Sequence, residues 1–157
     1  MCRYSRSTTR WRCRTVLDFR QKVFHWFRHS KQPSTLAGAP AVPRQKIYSA
    51  QTGYVYRYFY LGHRPASGDG AAGTEYLFEA AADTKTFFQA PVFLGDGAVT
   101  SWEQRHLRPL TDAERYAAVK MALFQAFDES PSPSHMRSRI LVRATDLEAH
   151  LETLGID

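Results

Sequence analysis

The sequence predicts an α+β fold, an antiparallel meander of three to four strands packed by one main helix and a short C-terminal helix, behind a basic N-terminal amphipathic segment. Three observations lead to it. Aromatic and β-branched residues alternate in runs between residues 54 and 94. Two later stretches open on a capping pattern and then repeat apolar residues at helical spacing. Charge divides the chain: residues 1–46 hold eleven Lys and Arg against the single acid Asp18, a net +10, whereas residues 47–157 hold ten against fourteen acids, a net −4.

Residues 1–15 are rich in Arg, Ser and Thr, carry both cysteines, Cys2 and Cys13, and show no period. Residues 16–29 read as a short amphipathic helix with Val16, Phe19, Val23, Trp26 and Phe27 on one side and Arg20, Lys22 and Arg28 off that stripe. Pro33, Pro40 and Pro43 among small residues mark 32–43 as a linker. Two parts follow: a basic segment with its linker over 1–45, and one α+β domain over 46–157. The pI of 9.5 is thus a property of the tail, which would meet nucleic acid or an anionic membrane through Arg10, Arg12, Arg14, Arg20, Lys22 and Arg28. It would alternatively address an organelle, or residues 1–14 would be translated upstream sequence.

Within the domain, residues 54–61, 74–81 and 86–94 read as strands. A Gly-rich loop over 62–73 joins the first two, and a tight turn at 83–85 joins the next pair. Pro91 lacks an N–H, which places a bulge or an edge in the third strand. A short helix forms around Trp102. The main helix opens at Thr111, with Glu114 reaching back, and runs to about Asp128. The Ser–Pro alternation of 130–134 is a second linker, 139–144 a fourth strand, and a closing helix runs from Thr145, boxed by Glu148, to Gly155.

A chain of 157 residues buries enough surface to fold without disulfides or a structural metal. The absence of cysteine after residue 13 excludes a thiolate site from the domain. No apolar run approaches membrane-span length and none near the start resembles a signal sequence, so the expected location is the cytoplasm.

The candidates for chemistry mostly dissolve. Gly68-Asp69-Gly70-Ala71-Ala72-Gly73 spells G-x-G-x-x-G, but it leads into a strand, whereas a dinucleotide site needs the helix N-terminus that meets phosphate. Glu75 and Glu79 share a strand face, but four residues of strand hold them roughly 13 Å apart, too far for paired acid–base work. They read as a solvated strand edge. His25 and His29 stand one turn apart with only Cys13 nearby as a third ligand. His150 reads as a packed histidine at the edge of the core. Neither G-x-S-x-G nor H-E-x-x-H occurs, so an enzyme reading has no anchor and no cofactor or metal is expected.

Two features remain. Lys120 falls in the middle of the helical face drawn by Ala113, Tyr116, Ala117, Leu123, Phe124 and Phe127, where an ammonium must snorkel, pair or bind an anion. Tyr54, Tyr56, Tyr58 and Tyr60 alternate onto one face of the first strand, with Val55, Phe59 and Leu61 opposite. Neither face is polar, so both want cover. The leading expectation is a non-catalytic binding or regulatory module that meets itself or another protein through an aromatic sheet face. The alternatives are a single-stranded nucleic-acid binder that stacks bases on the tyrosines, and a small-anion sensor or enzyme around Lys120.

Overall fold

The computed structural model describes residues 36–83 and 86–157, apart from the side chain of Arg137. The expected helix over 16–29, both cysteines and the six basic candidates from Arg10 to Arg28 lie outside the described residues.

The chain runs β1 (Lys46–Ser49), β2 (Val55–Gly68), β3 (Ala71–Ala81), β4 (Phe88–Gly95), α1 (Asp96–His106), α2 (Asp112–Glu129), a 3₁₀ turn (Pro133–Arg137), β5 (Ile140–Val142) and α3 (Ala144–Thr153). The strands form one sheet in sequence order, antiparallel from β1 to β4 and parallel between β4 and β5. The fold is α+β, as expected, but the sheet is five-stranded and mixed. The last strand returns parallel because α1 and α2 carry the chain back to the starting end of β4, a crossover that a tight turn cannot make. The first strand is too short, at four residues, to show alternation in the sequence. Pro91 sits opposite Leu77, one residue before β5 begins to pair at Val92, where β4 has no ladder partner on that side.

The expected Gly-rich loop is instead the end of a long hairpin. Asp69 and Gly70 have φ of 51° and 77°, the two positive values of a type I′ turn, and Gly68 pairs with Ala71 across them. The small residues around the turn let the hairpin end close over Phe93. A methyl group on Gly73 would stand 2.7 Å from Phe93 Cζ and 2.8 Å from Gly95 Cα. Because backbone cannot yield there, Gly73→Ala is expected to cost about 2 kcal/mol in urea unfolding.

One residue sets the two faces of β2. Between Tyr60 and Gly62 the register shifts, leaving Leu61 as a bulge. Tyr56, Tyr58 and Tyr60 therefore share a face with His63, and Val55, Arg57 and Phe59 share the other with Arg64. Tyr60 Oη accordingly lies 2.8 Å from His63 Nδ1.

The three described helices bring Trp102, Leu123, Phe127, Leu147 and Leu151 into one cluster with Tyr56, Tyr58, Phe78, Val92 and Leu94. Thr111 and Glu114 form the expected reciprocal cap of α2, Glu114 Oε2 accepting from the Thr111 N–H at 2.8 Å. The cap of α3 differs from expectation. Asp146 accepts from the Arg143 N–H at 3.0 Å, and Glu148 turns instead to His106 and Arg105 at 2.9 and 2.7 Å.

His150 is buried where α3 meets α2, its Nε2 3.0 Å from Gln125 Oε1 and its Nδ1 without a partner among the described residues. Burial holds its pKa below the ordinary 6.5, outweighing Asp146 and the Ala118 backbone, which favour the charged form. The unfolded chain takes up the proton first, so stability is full above about pH 6.5 and falls as the pH drops from there towards the lowered folded value. Urea midpoints at pH 7 and pH 5 are expected to differ less in His150→Gln than in the parent.

Candidate functional site

The tyrosines expected to form a contact surface are the face that the helices cover. Tyr56 is fully buried and stacks on Phe127 at 4.0 Å and 8°. Tyr58 is buried edge-on to Phe124 at 5.7 Å, and Tyr48 of β1 stacks on the same ring at 4.1 Å. Tyr60 is half-buried beside Tyr116, and Tyr54, just before β2, keeps its edge in water. The physical reason is the spacing of Phe124 and Phe127, which places two rings of α2 over alternate residues of β2. Burial pushes the Tyr58 phenol up to about 12, and burial with the Asp128 hydrogen bond does the same for Tyr48, so both stay protonated near neutrality.

Lys120 does not sit in the middle of the packed face. The buried stripe of α2 is Ala118, Val119, Ala122, Leu123 and Phe127, which rotates Lys120 to its border. There its ammonium lies 5.6 Å from the Phe124 ring centroid, and it makes no ion pair with a described residue. Lys120→Met keeps the stem over the ring, and its melting curve is expected to correspond to within about 0.5 kcal/mol of the parent. An open cleft of about 270 Å³, lined by Glu129, Ser130, His135, Met136 and Arg139, lies away from Lys120.

The opposite face holds the polar arrangement that the sequence did not announce. Glu75, expected on a solvated edge, is only 2% exposed. Its Oε2 accepts from Arg64 Nε and Nη2 at 2.9 and 2.6 Å, and its Oε1 accepts from Arg139 Nη2 at 2.5 Å. Arg139 also donates to the Ser67 carbonyl at 2.9 Å and lies 5.3 Å from the Phe93 ring centroid. Burial alone would raise the Glu75 pKa, but the hydrogen bonds and charges of the two guanidinium groups outweigh it and hold the carboxyl below its ordinary range. The cluster ties the hairpin to the approach of β5.

Four residues along β3, Glu79 is half-buried opposite Phe59 and makes no hydrogen bond or ion pair with a described residue. Burial pushes its pKa up. Arg57, on the neighbouring strand, donates to the Asp83 carbonyl. Around this carboxylate the face is apolar. Leu77, Ala81 and Phe93 are buried but lie outside the helix-side cluster, and Ile47 and Val55 are 65% and 49% exposed. Leu141 shares the face through its pairing with Phe93. No described helix contributes to this side of the sheet's core.

Among the described residues no group of three His, Cys, Asp or Glu is placed to hold a metal ion, and no helix is long and apolar enough to cross a membrane. The fold and this surface define a small α+β protein whose described helices pack on one face of a mixed sheet. Comparison with protein-family models, with curated proteins and with solved structures gives no match.

Proposed function

We propose that the chain is a non-catalytic binding module and that its working surface is the sheet face turned away from the helices. The observation that carries this is the pair Val55 and Ile47, both largely exposed, on the same face as Glu79, which makes no hydrogen bond or ion pair with a described residue. A single exposed apolar side chain is ordinary. Several on one side of a sheet, with charged groups at their border, have the composition of a contact surface. Arg57, Arg64 and Arg139 supply that border. The interface expected on the tyrosine side therefore moves to the other side of the same strand. Base stacking on Tyr56 and Tyr58 has no support, because stacking needs rings that a base can reach.

The test is photo-crosslinking in the expressing cell, with p-benzoylphenylalanine placed at position 55 or, on the helix side, at the exposed position 143. A discrete adduct from position 55 alone, lost when Ile47→Asp is added without change in melting temperature, is the expected result. Equal adducts from both positions, or none from either, contradict the reading.

A further inference from the structure

Resting on that reading for the part Ile47 plays, we propose that the outer edge of β1 accepts an extended segment of a partner protein as a further strand, one in which acidic residues alternate with apolar ones.

The backbone at this edge is open. β1 is the last strand of the sheet on its side, and Lys46, Ile47 and Ser49 are exposed, Ile47 at 65%. The Ala50 N–H donates to the Tyr54 carbonyl at 2.8 Å, which makes these two a hydrogen-bonded pair. Alternation along an antiparallel ladder then turns the backbone groups of Tyr48 and Lys46 towards β2 and those of Ile47 and Ser49 outwards. No described strand pairs with them. Such an edge is a template for another strand.

The side chains select which strand. Lys46 lies opposite Tyr58, on the helix side of β1, with its Nζ 3.4 Å from Tyr116 Oη. Lys120, one turn along α2 from Tyr116, holds its ammonium over the Phe124 ring, which stacks on Tyr48. Neither lysine makes an ion pair with a described residue. The opposite side of β1 offers exposed Ile47. A strand laid along the edge sends alternate side chains to the two sides. Acids on the helix side meet Lys46 and Lys120, while apolar residues on the other side cover Ile47. Main-chain hydrogen bonds then supply affinity, and the alternation supplies specificity.

The same charges count against a second copy of this chain. Pairing β1 with itself would gather Lys46 and Lys120 of both copies, and like charges across a strand pair are destabilising. The Asp128 carboxylate, which reaches β1, is already held by Tyr48 Oη at 2.7 Å and the Gln51 N–H at 2.8 Å. A lysine at an edge thus discourages self-pairing and leaves the edge open to an acidic partner.

The experiment is an amide NMR titration of the full 157-residue chain with extended peptides of about six residues. One alternates glutamate with valine, and the other has lysine in place of glutamate. Affinity is read at the amides of Ile47 and Ser49, so attraction of the acidic peptide to the basic residues further towards the N-terminus does not count. The glutamate peptide is expected to shift these two amides, slow their exchange with solvent and bind at least tenfold more tightly than the lysine peptide. Lys46→Glu combined with Lys120→Glu should reverse the preference while leaving the melting temperature within a few degrees of the parent. N-methylation of the glutamate peptide's backbone, which removes its donors, should abolish the response. Equal affinity for the two peptides overturns the proposal, as do shifts that survive N-methylation or a lack of response at millimolar peptide. If these amides shift with the chain's own concentration as light scattering shows a dimer, the occupant is a second copy; the acidic partner strand is then wrong while the binding reading stands. Failure of the binding reading is seen separately, as the absence of any position-dependent adduct from position 55.

Discussion

Phe127→Ala is expected to lower the free energy of unfolding by about 4 kcal/mol. Phe127 is fully buried and stacks on Tyr56 at 4.0 Å, with Tyr48 and Tyr58 at 6.0 and 6.3 Å. It is therefore the ring through which α2 holds both β1 and β2. Removing it deletes the transfer energy of the side chain and leaves a cavity whose aromatic walls cannot collapse without pulling two strands towards the helix. For a domain of this size the melting temperature should fall by ~12 °C. Phe127→Leu, which refills most of the volume, should recover more than half of the loss. A cost below about 1 kcal/mol for Phe127→Ala would mean that α2 does not cover the tyrosines.

Glu75→Ala is expected to cost about 3 kcal/mol, because it removes the shared partner of two guanidinium groups at a buried position. The value lies at the low end for a broken buried pair because Arg64 and Arg139 are 35% and 37% exposed and recover some hydration. Arg64→Ala or Arg139→Ala alone leaves Glu75 one guanidinium and should cost less than Glu75→Ala. The pH dependence follows from the lowered pKa of Glu75. Its contribution is fully present above the ordinary 4.5 and is lost as the pH falls from there through the folded value. Denaturant unfolding of the parent and of Glu75→Ala between pH 6 and pH 3 checks both points: the difference between them should shrink as acid is added. A constant difference would mean that the carboxylate's charge does not contribute.

Much of the architecture was legible in the sequence, for reasons that can be traced to particular residues. The α2 cap needs only Thr111 and Glu114 at fixed spacing, so a local pattern sufficed. The three long strands announced themselves through alternation. Four-residue β1 had no period to show, and the parallel docking of β5 depends on a crossover that no local pattern encodes. The hairpin, expected as a Gly-rich loop, is nonetheless encoded locally. Asp69-Gly70 is the residue pair that a type I′ turn selects, and counting outward from it places Arg64 directly opposite Glu75, as observed. The surrounding Gly, Ala and Ser masked that signal because they lack strand propensity, and they are small because the chain closes over Phe93. The ion cluster needed Arg139 as well, 64 residues away from Glu75, which only the fold brings near.

The choice between the two faces of β2 was beyond sequence reasoning. Tyr56, Tyr58 and Tyr60 on one side and Val55 and Phe59 on the other are both apolar enough to be core. What decides is where the rings of α2 fall, together with the single bulge at Leu61, which moves Arg64 to the side of Val55. The tyrosines went to the covered face because Phe124 and Phe127 offer them stacking partners; a β-branched residue such as Val55 gains less from those rings.

Hydroxyl-radical footprinting of the purified full chain, read residue by residue along β1 and β2, tests that assignment most directly. Tyr is intrinsically the more reactive side chain, so accessibility must overcome chemistry for the order to invert. The account predicts protection of Tyr56 and Tyr58 to near background, with oxidation of Ile47 and Val55 on the opposite face and of Tyr54 at the strand entrance. Oxidation of Tyr56 and Tyr58 at the rate of Tyr54, with Ile47 and Val55 protected, would contradict it and return the contact surface to the tyrosines.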